Sequence, residues 1–390
     1  MNGDRRRFLR NTLATTAAGL VLGTAGPRAL WAAAGSPRQS GLAALFAQDF
    51  AIGTALSNTT LQGRNPALEQ LVAREFGAIT AENAMKWEEI HPSAETWDWQ
   101  RADHFVDFGQ RTDMYTVGHT LVWHSQMPES VFVDGKGKAR PAAVVQKAME
   151  THIDTLAGRY RGKINAWDVL NEAVTDDGKW RESHWYNILG EDYFPRAFHL
   201  AREVDPRAEL LYNDYNMTTP EKRDFALAQI ARFRKQGMPI DGVGMQAHVH
   251  LEDPALEKLE ASIETIAAAG LDVHITELDV DVLPKAYDYM GAEISTNFEY
   301  SDELNPFSNG LPQKVADQLA ARYESLFNLF LKHKDKIRRV SLWGTTDAES
   351  WKNDWPVVGR TNYPLIFDRA GEPKKAYYSV AALKRDARSG

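Results

Sequence analysis

From about residue 50 onward, short runs of Val, Ile, Leu and aromatic residues alternate with longer stretches whose apolar positions recur three and four apart. The short runs are Phe50–Leu56, Gly77–Glu82, Met114–Trp123, Ile164–Asn171, Glu209–Tyr212, Gly242–His248, Leu271–Glu277 and Arg339–Gly344. Bounded by glycine or polar turns and rich in β-branched and aromatic residues, they read as eight strands. The stretches between them carry helix punctuation. Asp253-Pro254 is expected to open one helix, with Leu256, Leu259, Ile263 and Ile266 as its apolar stripe and Gly270 closing it. Thr219-Pro220-Glu221 is expected to open another, and Pro141 a third.

Strand–helix alternation requires a parallel sheet covered by helices, and eight repeats predict a single closed (β/α)₈ barrel. A doubly wound open sheet is the competing arrangement, but no glycine-rich phosphate fingerprint follows the first strand. No Pro/Ser linker or change of composition divides the chain after residue 41, so residues 35–390 read as one catalytic barrel. The stretch from Asp281 to Leu311 lacks periodicity and holds Tyr287, Tyr289, Phe298 and Tyr300. A loop of that length is expected to pack as part of a rim.

Polar side chains gather where the strands end: Glu82-Asn83, His119 to Trp123, Asn171-Glu172, Asp214-Tyr215-Asn216, Gln246 to His248, Glu277 to Asp279, and Trp343. Active sites of such barrels form at the carboxyl ends of the strands. Each residue alone could be a cap or a satisfied core group, but their concentration at one end points to a polar ligand. Glu172 and Glu277 each close an otherwise apolar strand, the fourth and the seventh, on opposite sides of the barrel mouth. Paired carboxylates flanking a bond are the machinery of glycoside hydrolysis.

Composition narrows the choice. The 390 residues are 43% hydrophobic and 25% charged, as in a globular protein, with a net charge of -8 that disfavours nucleic acid as a partner. No apolar run is long enough to span a membrane. With no cysteine there is neither a thiol nucleophile nor a thiolate metal site. A serine elbow, a phosphate loop and a His-Glu-x-x-His motif are all missing, and His248-x-His250 alone is a weak metal signal. Metal and cofactor are therefore both expected to be none. Arg5-Arg6-Arg7-Phe8-Leu9, a mild apolar run from Leu13 to Gly26 and Ala32-Ala33-Ala34 compose an export signal of the twin-arginine type over residues 1–34. The mature protein is expected in the periplasm or outside the cell, as a monomer.

Seven blocks of sequence resemble glycoside hydrolase family 10 endo-1,4-β-xylanases. They are Thr80–Glu88, Gly118–Gln126, Trp167–Glu172, Asn213–Asn216, Gly244–His248, Ile275–Asp279 and Leu342–Gly344, and the segment Asp347–Asp368 also resembles the family's close. The blocks fall in order on the expected strands, over residues 42 to 385. Ala81 and Lys375 depart from the usual proline at those places. The resemblance implies a retaining hydrolase of xylan and xylo-oligosaccharides, with Glu172 as acid/base and Glu277 as nucleophile. It implies that Asn171 bonds the sugar 2-hydroxyl and that His248 orients Glu277. Glu82, Asn83, Lys86, His119, Trp123 and Gln246 would contact the sugar on the glycone side. Trp343 and Trp351 would wall it, and Tyr215 would continue toward the leaving side. With Glu277 charged nearby, Glu172 is expected to hold its proton more tightly than an ordinary carboxyl. A cellulase or mixed-linkage glucanase on the same barrel is the alternative, and would need room for a hydroxymethyl group at C5.

Overall fold

The computed structural model describes residues 40–284 and 302–385. Among the described residues nine strands form: β1 (Ala51–Leu56), β2 (Ala78–Ala81), β3 (Tyr115–Val122), β4 (Ala166–Asn171), β5 (Glu209–Asp214), β6 (Gly242–Met245), β7 (His248–His250), β8 (Asp272–Asp281) and β9 (Ile337–Leu342). β1 pairs with both β2 and β9, β6 pairs with both β5 and β8, and every pairing is parallel. The sheet therefore closes, as the eight-unit pattern predicts. All six residues of β1 are buried, because its two faces meet the barrel interior and the helical layer.

The sixth predicted strand, Gly242–His248, is not continuous. It breaks at Gln246-Ala247, where Ala247 takes φ 61°, and resumes as β7 against the far end of β8 through His248↔Asp279. The break occurs because β8 runs four residues past Glu277 and offers a second partner above the barrel rim. Glu277, Asp279 and Asp281 share one face of that extension by the period of two.

Close approach inside the barrel is made possible by glycine. A Cβ on Gly118 would lie 2.1 Å from the Trp167 ring, and one on Gly244 would lie 2.3 Å from Asn213 Oδ1. Trp167 and Asn213 fill those spaces, both fully buried. The helix Pro220–Lys235 begins after Thr219, and Ala142–Arg159 after Pro141, both as expected. The third expectation fails at its start. The helix spans Leu256–Ala268 with Ala255 at its cap. Asp253 O instead accepts from the His250 N–H and Pro254 O from Arg322 Nη2, which hold this dipeptide in the loop. Leu259, Ile263 and Ile266 are buried, and Gly270 follows at φ 70°. The proposed signal, residues 1–34, lies outside the described residues, as do Tyr287, Tyr289, Phe298 and Tyr300. No described helix is long and apolar enough to cross a membrane.

Candidate active site

The carboxyl ends of the strands open into a cleft of about 820 Å³. The side chains to which the resemblance gives a role all line it, whereas Asp214 and Asp279 are buried and do not. Glu82, Asn83 and Lys86 follow β2, His119 and Trp123 come from the end of β3, and Asn171 and Glu172 from that of β4. Tyr215 follows β5, Gln246 and His248 flank the break after β6, Glu277 stands on β8, and Trp343 and Trp351 follow β9.

Glu172 sits just beyond β4 with its backbone at φ 57°, held by its N–H donating to Asn213 O at 2.9 Å. That conformation is uncommon for a side chain larger than Gly. Trp123 Nε1 donates to Glu172 Oε2 at 2.9 Å, and Gln246 Nε2 to Oε1 at 2.9 Å. Asn171 Nδ2 adds a longer bond to Oε1 at 3.3 Å. Burial by itself would raise the Glu172 pKa, but His124, the Gln246 and Trp123 donors and Arg181 outweigh it and hold the carboxyl below the usual range. This reverses the direction expected from sequence. The charge of Glu277 is outmatched because the charge of His124 and direct donors to both carboxylate oxygens act on Glu172 together.

Glu277 has a different environment. Asn213 Nδ2 donates to its Oε1 at 2.7 Å, and His248 Nε2 lies 3.1 Å from its Oε2. The other ring nitrogen of His248 lies 3.0 Å from Asp279 Oδ2, which also accepts from Trp351 Nε1 at 2.8 Å. Burial disfavours a charged His248, yet Asp279 and Glu277 together push its pKa up to about 9. His248 is therefore an imidazolium at neutral pH, donating to a carboxylate from each nitrogen. Asn213 ties the two halves of the site together, since its Nδ2 also donates to Asn171 Oδ1 at 2.9 Å. Thr276 Oγ1 donates to Asn213 Oδ1 at 2.7 Å and fixes which way that amide points.

One wall carries a polar cluster. Lys86 Nζ donates to Asn83 Oδ1 at 2.9 Å and to Gln126 Oε1 at 2.8 Å, and stands 4.9 Å from the Trp123 ring centroid. Burial, only partly offset by Lys86, pushes Glu82 up to about 7, and burial pulls the Lys86 pKa down. His119 Nδ1 lies 2.9 Å from buried Asp168 Oδ2, which fixes its ring edge-on to Trp343 at 5.2 Å. On the other side of Glu172, Arg181 Nη2 donates to the Tyr215 hydroxyl at 2.7 Å, and its Nε to Glu172 O at 2.8 Å. The Lys222 ammonium, paired with Asp214 at 2.9 Å, lies 3.2 Å from the Tyr215 ring centroid.

Asn213, Gln126 and Lys352 are parts of this arrangement to which sequence reading gave no role. Asn213 lies one residue beyond the predicted end of its strand, and its inward register with Leu211 is the signal that would have found it. Gln126 closes the block that begins at Gly118. Lys352 had no local signal.

The comparisons agree with the geometry. Residues 41–383 match the family model described as glycosyl hydrolase family 10. An endo-1,4-beta-xylanase A of Xylanibacter ruminicola is 42% identical over 86% of this chain and 90% of its own length. An endo-1,4-beta-xylanase of Geobacillus stearothermophilus is 39% identical over 87% of this chain and 97% of its own. Among solved structures, a GH10 endoxylanase retrieved from a sugarcane soil metagenome superposes with a TM-score of 0.84 at 50% identity, over 89% of this chain and 100% of that one. A mutant structure in complex with xylotriose superposes at 0.78 and 34% identity, over 87% of this chain and 99% of that one. With its barrel closed and residues 41–383 matched by the family model, the chain belongs to glycosyl hydrolase family 10.

Proposed function

We propose that the protein hydrolyses internal β-1,4-xylosidic linkages of xylan and xylo-oligosaccharides with retention, using Glu172 as acid/base and Glu277 as nucleophile. The observation that carries this reading is the unequal bonding of two carboxylates in one cleft. Glu277 accepts from a cationic imidazolium and an amide, and Glu172 accepts from neutral indole and amide groups. A carboxylate held on both oxygens by an imidazolium and an amide is oriented to attack. One whose direct hydrogen bonds come from neutral groups, with His124 and Arg181 acting on it by charge, can take and lose a proton.

In the first step a Glu277 oxygen attacks the anomeric carbon while the glycosidic C–O bond breaks, and the departing oxygen takes the Glu172 proton. Because Glu172 is held below the usual carboxyl range in the free protein, sugar binding must favour its protonated form. Filling the cleft removes water from around Glu172 and raises its affinity for the proton. In the second step water gives a proton to Glu172 and its oxygen attacks the glycosyl ester, freeing Glu277. Asn171, fixed between Asn213 and Glu172, is placed to bond the 2-hydroxyl. Glu82, Asn83, Lys86, His119, Trp123 and Gln246 take the glycone, Trp343 and Trp351 wall it, and Tyr215 takes the leaving side. The names of the relatives and the xylotriose complex support xylan over cellulose.

The direct test is proton NMR of the first products from xylohexaose, with carboxymethylcellulose as the competing substrate. The β-anomer appearing first, with xylan cleaved much faster than carboxymethylcellulose, is the expected result. An α-anomer first, or equal rates on the two polymers, contradicts the reading.

Residues 1–34 would direct export of the folded mature chain, 35–390, acting as a monomer in the periplasm or outside the cell. The support is the order Arg5-Arg6-Arg7-Phe8-Leu9, apolar run and Ala32-Ala33-Ala34. Replacing Arg5 and Arg6 with lysine should retain the protein in the cytoplasm, as fractionation would show. Unchanged export of that variant would remove the twin-arginine assignment.

A further inference from the structure

On the inward face of β8, three acids stand two residues apart, Glu277, Asp279 and Asp281, and all are buried. Two cations interleave with them. His248 bridges Glu277 and Asp279, and the ammonium of Lys352 lies 3.6 Å from Asp279 Oδ1 and 3.7 Å from Asp281 Oδ2. Lys352 is only 1% exposed, and its side chain runs beside the Trp351 ring, 4.8 Å from ammonium to centroid. Those two carboxylate oxygens have no hydrogen-bond donor among the described residues, so the ammonium is the charge that faces them. Their other oxygens are occupied, Asp279 Oδ2 by His248 and Trp351, and Asp281 Oδ1 by Asn362 Nδ2 at 2.8 Å and the Leu283 N–H at 2.9 Å.

We propose that Lys352 is a positioning residue for the nucleophile: its buried ammonium fixes the charge of Asp279, and through Asp279 the proton and orientation of His248, which holds Glu277. The role rests on the reading of Glu277 as nucleophile. Two carboxylates side by side out of water cannot both stay ionised without a cation between them. Without Lys352 the Asp279–Asp281 pair would take up a proton, and His248 would lose part of the charge that keeps it cationic. Among the described residues, few ionisable groups face this row. His248 meets Glu277 and Asp279, and Asp279 meets Lys352, His248 and, more distantly, Tyr323 from the helix Gln313–Lys332. Glu277 also feels Lys86 and Glu82 from beyond β2.

The test compares the full-length protein with Lys352→Met and with the double variant Lys352→Met/Asp281→Asn, which removes a carboxylate together with the ammonium. The titration of His248 is followed by ¹⁵N NMR, and kcat/KM against pH by an aryl β-xylobioside whose leaving group needs no protonation. In Lys352→Met, the pH at which His248 loses its proton should fall by about one unit or more. The alkaline fall of kcat/KM should move with it, so that kcat/KM drops several-fold near pH 9 while changing little at neutral pH. The double variant should recover most of both shifts. An unmoved His248 titration in Lys352→Met overturns the proposal, as does a double variant no better than the single one. So does a loss of activity whose pH profile is unchanged, since that is what a packing role alone would give. Trapping with a 2-fluoro xylobioside separates this from the parent reading. A label on a residue other than Glu277 refutes the nucleophile assignment, while the NMR titration still reports on the link from Lys352 to His248.

Discussion

Glu277→Gly is expected to lower kcat on xylo-oligosaccharides by about 10⁵-fold, or about 7 kcal/mol of barrier, with KM changed little. The size follows from losing a covalent step, not a binding contact. The carboxylate is 4% exposed and bonded on both oxygens, so nothing else on β8 is placed to reach the same carbon. Asp279, its neighbour on the same face, is committed to His248, Trp351 and Lys352. Steady-state rates on xylotetraose measure the effect, and a loss of less than about 100-fold would mean that Glu277 is not the nucleophile.

Glu172→Gln should cost about 10³-fold on the same substrate, within the range of general acid–base catalysis. It should cost little in the glycosylation step of an aryl xylobioside with a leaving group that departs unprotonated. The pH profile separates the roles further. Because His124, Gln246, Trp123 and Arg181 outweigh burial and hold the free Glu172 below the usual carboxyl range, it is expected to deprotonate at lower pH in the free protein than when sugar fills the cleft. The alkaline limb of kcat/KM, which reports the free protein, should therefore lie at lower pH than that of kcat. In Glu172→Gln that limb should vanish with the activated substrate. The decline that remains is the one set by His248 losing its proton near pH 9. A limb that survives unchanged in Glu172→Gln would remove Glu172 as the acid.

The barrel and the rim of its cleft were legible in the sequence because both depend on local regularities. Parallel strands buried on two faces read as apolar runs, and their functional ends stand out as the places where polar residues interrupt them. What sequence does not carry is the pairing of residues far apart in the chain. Asn213 bridges Asn171 and Glu277 from a strand between theirs, and Lys352 meets Asp279 and Asp281 from a short turn after β9. Neither contact has a local period. The start of the helix Leu256–Ala268 was misplaced for the same kind of reason, since Arg322, from a distant helix, claims the Pro254 carbonyl. The proton affinity of Glu172 goes the other way because the sequence suggests one nearby charge, whereas the fold also brings the charges of His124 and Arg181 and the Gln246 and Trp123 donors to it.

The roles of the two carboxylates are tested together by the stereochemistry of azide rescue. In Glu172→Ala, an activated aryl β-xylobioside should load Glu277, and azide, needing no base, should attack that intermediate from the β face. In Glu277→Gly, azide should enter the space left by the carboxylate and attack the substrate directly, with Glu172 still protonating the leaving group. NMR of the two isolated products should show the β-glycosyl azide from Glu172→Ala and the α-glycosyl azide from Glu277→Gly. The same anomer from both variants, or the β-azide from Glu277→Gly, would contradict the assignment.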